Sequence, residues 1–362
     1  MNKITLVRRA YSPSGGAEKY LLRLADGLAQ YGWLPQLVTA ADWPSDIWNW
    51  GNVQKIPGKT PLEFANSFKK LSINNDLGVT FSLERVWEAD FYRAGDGVHQ
   101  AWLDRLATHS SPLSNLARKA NKKHKEILQL ERSLYAPPSR TKIIANSQLI
   151  AHEISQIYGT PPHSIRVIHN GFDPPNFTAS EAKKIRTAQR QKLGISEEEL
   201  VILFVGSGWK RKGAYPAIEA AAHLKEKPIK LIIAGKGKKP KNPPSNVLFL
   251  GEVRDVPPLY LASDLFLLPT LYDPFSNATL EAACFGLPVI TSRDNGFSEP
   301  LGTYGGGSIL NSPTDSLEIA NTIQKWLSPE IRKNAKPQLA KLATRHTQSI
   351  NIQQTLDFII NQ

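Results

Sequence analysis

Twice along the chain, short apolar runs of strand length alternate with amphipathic stretches of helix length, and a polar segment at 171–199 separates the two series. No other feature constrains the fold as much. Apolar runs linked by helices predict a parallel sheet with helices on both faces. In the first series, residues 4–7, 35–39, 78–82, 91–94, 142–145 and 166–169 read as strands. Residues 16–30 read as a helix burying Leu21, Leu22, Leu24, Ala25 and Leu28, and Ser147 caps a helix running to Tyr158. In the second series, strands are predicted at 201–205, 230–234, 247–250, 265–268 and 288–291, with helices at 214–224 and 278–285 and a helical tail at 351–360. The stretch 171–199 holds Pro174-Pro175 and a charged segment at 181–192, and reads as a linker with a short helix. The fold class is therefore α/β: two Rossmann-like, doubly wound domains, 1–170 and 171–345, facing a central cleft. A C-terminal helix, 346–362, would pack back on the first domain. Ligands of such sheets bind beyond the carboxyl ends of the strands.

At 362 residues the chain exceeds the roughly 250–300 that one core usually supports. Hydrophobic residues at 41% and charged residues at 21% argue against disorder, and no apolar run approaches a membrane span. The start of the chain reads as a first strand, not a signal peptide. The single cysteine, Cys284, excludes an internal disulfide and an all-cysteine zinc site, and fits a reducing, cytoplasmic setting. The net charge of +12, spread over both halves, favours an anionic partner: nucleic acid, an acidic membrane or a phosphorylated substrate. Solvated surface lysine is the plainer explanation of the same charge.

Three segments carry chemistry. Ser14-Gly15-Gly16-Ala17-Glu18 joins the first strand to the first helix, where backbone can approach a phosphate, although a turn glycine pair explains it as well. It is not the dinucleotide fingerprint. Gly206-Ser207-Gly208-Trp209-Lys210-Arg211-Lys212-Gly213 follows a strand and precedes a helix. Three consecutive cations among glycines suit a diphosphate, against the alternative of a solvated loop. Asp273-Pro274-Phe275-Ser276-Asn277-Ala278-Thr279-Leu280-Glu281 places two carboxylates around the start of a helix, whose N–H groups near Asn277–Leu280 can take a phosphate or sugar hydroxyls. No Asp-x-Asp pair, H-E-x-x-H, G-x-S-x-G or EF-hand loop occurs, and the eight histidines lack metal-ligand spacing, so no metal and no resident cofactor are expected.

Together these segments resemble the retaining glycosyltransferases of family 4, which have the two-domain GT-B fold. The family's E-x7-E segment followed by E-A-x-x-x-G-x-P-V stands here as Asp273 to Glu281 and on through Ala282, Gly286, Pro288 and Val289, with Asp in place of the first Glu. Ile168-His169-Asn170-Gly171-Phe172-Asp173 is similar to the segment that closes the family's first domain. Ser207 stands where the family has an Arg, and Arg211 beside Lys212 supplies the cation. The G-S-x-x-x-R-K-G loop, the segment 92–99 and the length resemble the lipopolysaccharide core glucosyltransferases that act on inner-core heptose.

The resemblance implies an acceptor-binding first domain, a sugar-nucleotide-binding second domain, and transfer of a hexose, glucose, from UDP-glucose to a glycolipid. It implies that Arg211 and Lys212 hold the donor diphosphate and that Glu281 binds the ribose. Asp273 and the backbone of Phe275, Ser276, Asn277, Thr279 and Leu280 would hold the sugar, and Gly251 to Val253 would face the base. Gly15 and Gly16 would leave room for phosphate and acceptor, with Asp96 facing both substrates. Other donors or acceptors, such as capsule or exopolysaccharide, and a catalytically inactive nucleotide-sugar-binding protein remain alternatives. A nucleic-acid-binding protein is disfavoured because no binding module is seen. Residues 114–132 read as one basic amphipathic helix bearing Arg118, Lys119, Lys122 and Lys123. It would suit an anionic inner-membrane surface on the cytoplasmic side, or equally a packed surface helix.

Overall fold

The apolar runs form two all-parallel sheets in the computed structural model, which describes residues 2–12, 16–44, 46–108 and 120–361. The first contains β1 (Asn2–Val7), β2 (Trp33–Thr39), β3 (Val53–Lys55), β4 (Val79–Ser82), β5 (Phe91–Arg93), β6 (Lys142–Ala145) and β7 (Ile165–Val167), in the order β3-β2-β1-β4-β5-β6-β7. The second contains β8 (Leu200–Val205), β9 (Ile229–Ala234), β10 (Val247–Gly251), β11 (Leu265–Leu268), β12 (Val289–Ser292) and β13 (Gly307–Leu310), in the order β10-β9-β8-β11-β12-β13. Helices cover both faces of a parallel sheet, so its central strands are apolar throughout. Residues 200–204 of β8 are all buried, and Ile202 lies opposite Leu231 of β9 and Leu265 of β11. Each sheet reverses strand order once, between β1 and β4 and between β8 and β11. The loops leaving those strands splay apart there and open a crevice.

The first unit comprises Met1–His169 and Ser349–Gln362, and the second Asn170–Gln348. The last helix, Gln348–Ile360, lays Leu356 and Ile352 against Gly27, and Tyr20 Oη meets Thr355 Oγ1 at 3.2 Å. The second unit extends past Arg345 because His346 stays in it. The His346 ring stacks 6.4 Å from Phe275, and its carbonyl accepts the Phe172 amide (2.8 Å).

Two readings are corrected, and two strands are added. The stretch 171–199 is not a linker. Its helix, Ala179–Lys192, belongs to the body of the second unit, anchored by the fully buried Arg190. That guanidinium donates to the carbonyls of Ala262 (3.1 Å) and Glu199 (2.6 Å) and pairs with Asp264 (3.3 Å). The basic segment 114–132 is not one helix. Asn121 is extended (ψ 116°), and its side chain accepts from the amides of Lys123 and His124 and starts the helix Lys122–Tyr135. Arg118 and Lys119 lie outside the described residues. Finally, β3 and β13 were not anticipated. Each is three or four residues long and paired on one side only. Among the described residues, no helix is long and apolar enough to cross a membrane.

Candidate active site

In the second unit, the loops after β8 and β11 meet at the point where strand order reverses. Within the first of them, Trp209–Lys212 forms a single helical turn where the sequence reads as loop. Gly213 ends it at φ +78°, and a Cβ there would lie 1.8 Å from the Pro269 carbonyl oxygen, so only glycine lets the loops approach. The Arg211 carbonyl accepts from Leu271 N (2.8 Å) and Thr270 Oγ1 (2.9 Å), and Arg211 Nη1 donates to the Tyr272 carbonyl (2.8 Å). Lys212 Nζ pairs with the Asp273 carboxylate, and both side chains are largely buried. Asp273 is fixed through its backbone: its N–H donates to Asp294 O and its carbonyl accepts from Gly296 N, both at 2.9 Å.

The following helix, Asn277–Cys284, is capped by Ser276 Oγ, which accepts from Thr279 N (3.3 Å). The Leu280 amide is taken by the Ser276 carbonyl (3.1 Å). The expected anion-binding N–H groups are therefore fewer than the sequence implies. The cap leaves unused only those of Asn277 and Ala278 in this run. Phe275, Ser276, Thr279 and Leu280 have buried side chains, and the amides of Ser276, Thr279 and Leu280 are already bonded within the fold. Phe275 packs edge-on to Phe297 at 5.6 Å. Glu281 is half-buried and accepts from Tyr260 Oη (2.9 Å). Burial, and then the Glu281 charge, hold the Tyr260 phenol far above its ordinary range, so it stays a donor. Burial, then Asp173 and Glu281, push the Cys284 thiol up to about 12, which leaves no thiolate for nucleophilic chemistry near neutrality. Ser207 is exposed and its Oγ accepts from Lys236 N (3.0 Å). Val253 follows β10 and packs on the core.

The first unit supplies a different set. Arg8, just after β1, donates to Glu18 (3.0 Å) and Glu84 (2.8 Å). Gly16 opens the first helix, while Gly15 lies outside the described residues. The Asp96 side chain is 79% exposed, 3.8 Å from Arg85 Nη1. Behind it Glu131, with no exposed surface, accepts from Arg85 Nε (3.0 Å), Tyr158 Oη (2.8 Å) and the amides of His99 (2.6 Å) and Gln100 (3.3 Å). His99 Nε2 lies 2.9 Å from His124 Nδ1. Burial, then the charges of Arg85, His124 and Lys123, push His99 down to about 4. Lys122 and Lys123 are exposed at the start of their helix. Among the described residues, no three His, Cys, Asp or Glu side chains gather as metal ligands do.

Three residues that the sequence did not single out hold this geometry. Asn295, fully buried, accepts from Ser276 N (3.2 Å) and Phe297 N (3.1 Å) and donates to Thr291 Oγ1 (2.9 Å). Tyr260 orients Glu281, and Thr270 ties the two strand-end loops together. Nothing local marks them, because each acts on partners brought near by the fold.

Residues 185–341 match the family model described as glycosyl transferases group 1. The second unit is a group 1 glycosyltransferase domain. The chain thus carries a glycosyltransferase domain in its second unit, and its two Rossmann-like units are those of the GT-B fold. Lipopolysaccharide glucosyltransferase WaaG of Escherichia coli K12 is 24% identical over 335 residues, covering 88% of this chain and 87% of that protein. A probable transglycosylase of Burkholderia thailandensis is 29% identical over 310 residues, covering 82% and 79%. The crystal structure of WaaG aligns with a TM-score of 0.82 at 22% identity, over 99% of this chain and 100% of that one. Anabaena HepE, solved with UDP-glucose, aligns at 0.73 and 18% identity over the full length of both.

Proposed function

We propose that this glycosyltransferase moves glucose, with retention, from UDP-glucose to heptose of a lipopolysaccharide core or a similar glycolipid. The observation that carries the reading is the meeting of Arg211, Lys212 and Asp273 on two strand-end loops of the group 1 domain. WaaG, by name a lipopolysaccharide glucosyltransferase, and HepE, solved with UDP-glucose, support the choice of substrates.

In this reading Arg211 and Lys212 neutralise the charge that grows on the departing diphosphate. Preorganised cations act most strongly where charge develops in the transition state. The diphosphate competes with Asp273 for Lys212, which releases a carboxylate oxygen for a hydroxyl of the transferred sugar. Asp is one methylene shorter than Glu, and Lys212 fills the gap. Glu281, oriented by Tyr260, accepts from the ribose hydroxyls, and backbone at Gly251 to Val253 meets the base. The backbone of Phe275 and Ser276 and the amide of Asn277 line the sugar. In the first unit, Gly15 and Gly16 leave room for phosphate and acceptor, and Asp96 faces the reacting groups. The acceptor hydroxyl attacks from the face the nucleotide leaves, and a phosphate oxygen takes its proton. The reading includes no metal and no resident cofactor. Arg118, Lys119, Lys122 and Lys123 serve contact with an anionic membrane on its cytoplasmic side.

The test is UDP release with a heptose-terminated lipid acceptor. The double variant Arg211→Ala with Lys212→Ala should lose at least about a hundredfold in turnover while keeping its fold. Near-normal turnover would refute the diphosphate assignment, and a rate abolished by chelator would refute the metal-free reading.

A further inference from the structure

Directly after β9 the chain reads Gly235-Lys236-Gly237-Lys238-Lys239-Pro240-Lys241, four lysines among six residues without an acid. Its backbone is fastened to the loop that carries Arg211 and Lys212. Lys236 N donates to Ser207 Oγ (3.0 Å), the Lys236 carbonyl accepts from Gly208 N (3.2 Å), and Tyr215 Oη donates to the Lys238 carbonyl (3.2 Å). Gly237 lies flat on Trp209, where a Cβ would come within 1.9 Å of the indole. Trp209 stacks in turn on Phe249 at 5.6 Å, and Lys239 Nζ sits 5.4 Å from that ring.

The side chains do the opposite of the backbone. Lys238, Lys239 and Lys241 are exposed, as is Lys210 on the neighbouring loop. Lys236 has a counter-ion in Glu252 (2.7 Å) and Lys212 has one in Asp273. Among the described residues, Lys210, Lys238, Lys239 and Lys241 make no ion pair. Four uncompensated positive charges thus lie on or beside the loop assigned to the diphosphate, Lys210 on it and the other three beside it. Flexible ammonium groups in solvent give little fixed-geometry affinity. They raise the local concentration of an anion and its rate of arrival.

We propose that Lys210, Lys238, Lys239 and Lys241 form an electrostatic collar that draws an anionic nucleotide diphosphate toward residues 206–213. The collar rests on the donor reading above. It acts on association and leaves dissociation to the groups that touch the ligand. Salt must switch it off, since the screening length shrinks from ~10 Å at 0.1 M to ~3 Å at 1 M.

The experiment is stopped-flow binding of a fluorescent UDP analogue to the full-length chain over a range of salt. It compares wild type with Lys238→Glu/Lys239→Glu/Lys241→Glu and with the milder triple change to Gln. At about 20 mM salt the Glu triple should associate about tenfold more slowly and the Gln triple by less, with dissociation within about twofold of wild type. All three should converge near 1 M salt. Equal association rates at low salt would overturn the collar, as would a loss that appears in dissociation and persists at high salt, the mark of a structural role. UDP binding by wild type at high salt tests the donor reading separately. Failure there defeats both, whereas binding without a salt-dependent rate difference defeats the collar alone. Vesicles with and without anionic lipid complete the set. If the triples lose only the anionic vesicles and bind UDP at the wild-type rate, the loop is a lipid surface and the proposal falls.

Discussion

The two units place the same kind of contact at the same topological point, yet use it differently. In the first, Arg8 beyond β1 reaches Glu84 beyond β4; in the second, Lys212 beyond β8 reaches Asp273 beyond β11. Arg8 has a second carboxylate, Glu18, and donates from Nε, Nη1 and Nη2. Lys212 has one carboxylate and directly follows two further cations, Lys210 and Arg211. A guanidinium locked between two acids holds the fold together. A singly paired ammonium in a cationic surround still gains from an added anion. Glu131 makes the same point for the first unit, since it has no exposed surface and four donors around it.

The largest effect that can break this comparison is on stability. Glu131→Ala leaves Arg85 buried without its main partner and should cost about 3–5 kcal/mol in urea unfolding, more than Lys212→Ala. A larger loss for Lys212→Ala would reverse the roles assigned to the two units. Gly213→Ala forces φ +78° on a side chain and drives its Cβ into the Pro269 carbonyl. It should cost about 2 kcal/mol and weaken UDP binding, whereas Gly32→Ala, at φ +76° with open space around it, should cost less and leave UDP binding unchanged. Ser276→Ala removes the cap of the helix beside Asp273 and should cost about 1 kcal/mol, read as a lowered melting temperature.

The smallest effect is a pH dependence confined to the first unit. His99 sits at about 4 in the fold against about 6.5 unfolded. The unfolded chain therefore binds the extra proton first. His99's contribution is complete above about pH 6.5 and is lost as pH falls toward 4. With the ring partly exposed, the loss should be about 1 kcal/mol. His99→Gln should flatten the stability profile over that window. An unchanged slope would show that His99 titrates normally.

Most of the architecture was legible because parallel strands must be apolar on both faces. Residues 142–145 and 265–268 were read with the bounds they have, as was the helix Gly16–Gln30. What escaped was set by distant partners. Arg190 looks like a solvated charge in a polar stretch, yet it is buried because the carbonyls of Ala262 and Glu199 surround it. The edge strands are too short to carry a pattern. In the site, Arg211, Lys212 and Asp273 could be singled out because cations and acids among glycines are conspicuous. Their pairing with one another, and the support from Thr270 and Asn295, depends on how the loops after β8, β11 and β12 meet, and Tyr260 comes from the helix Pro257–Ala262 between β10 and β11.

The most direct test is a thermal-shift panel of UDP, GDP, ADP and their common hexose conjugates, run on wild type and on Arg211→Ala with Lys212→Ala. A ligand that binds only the native state raises its melting temperature. The account predicts that UDP and UDP-glucose selectively stabilise wild type and that the double variant loses most of that shift. Absence of any shift, selective stabilisation by another nucleotide, or an undiminished shift in the double variant would contradict it.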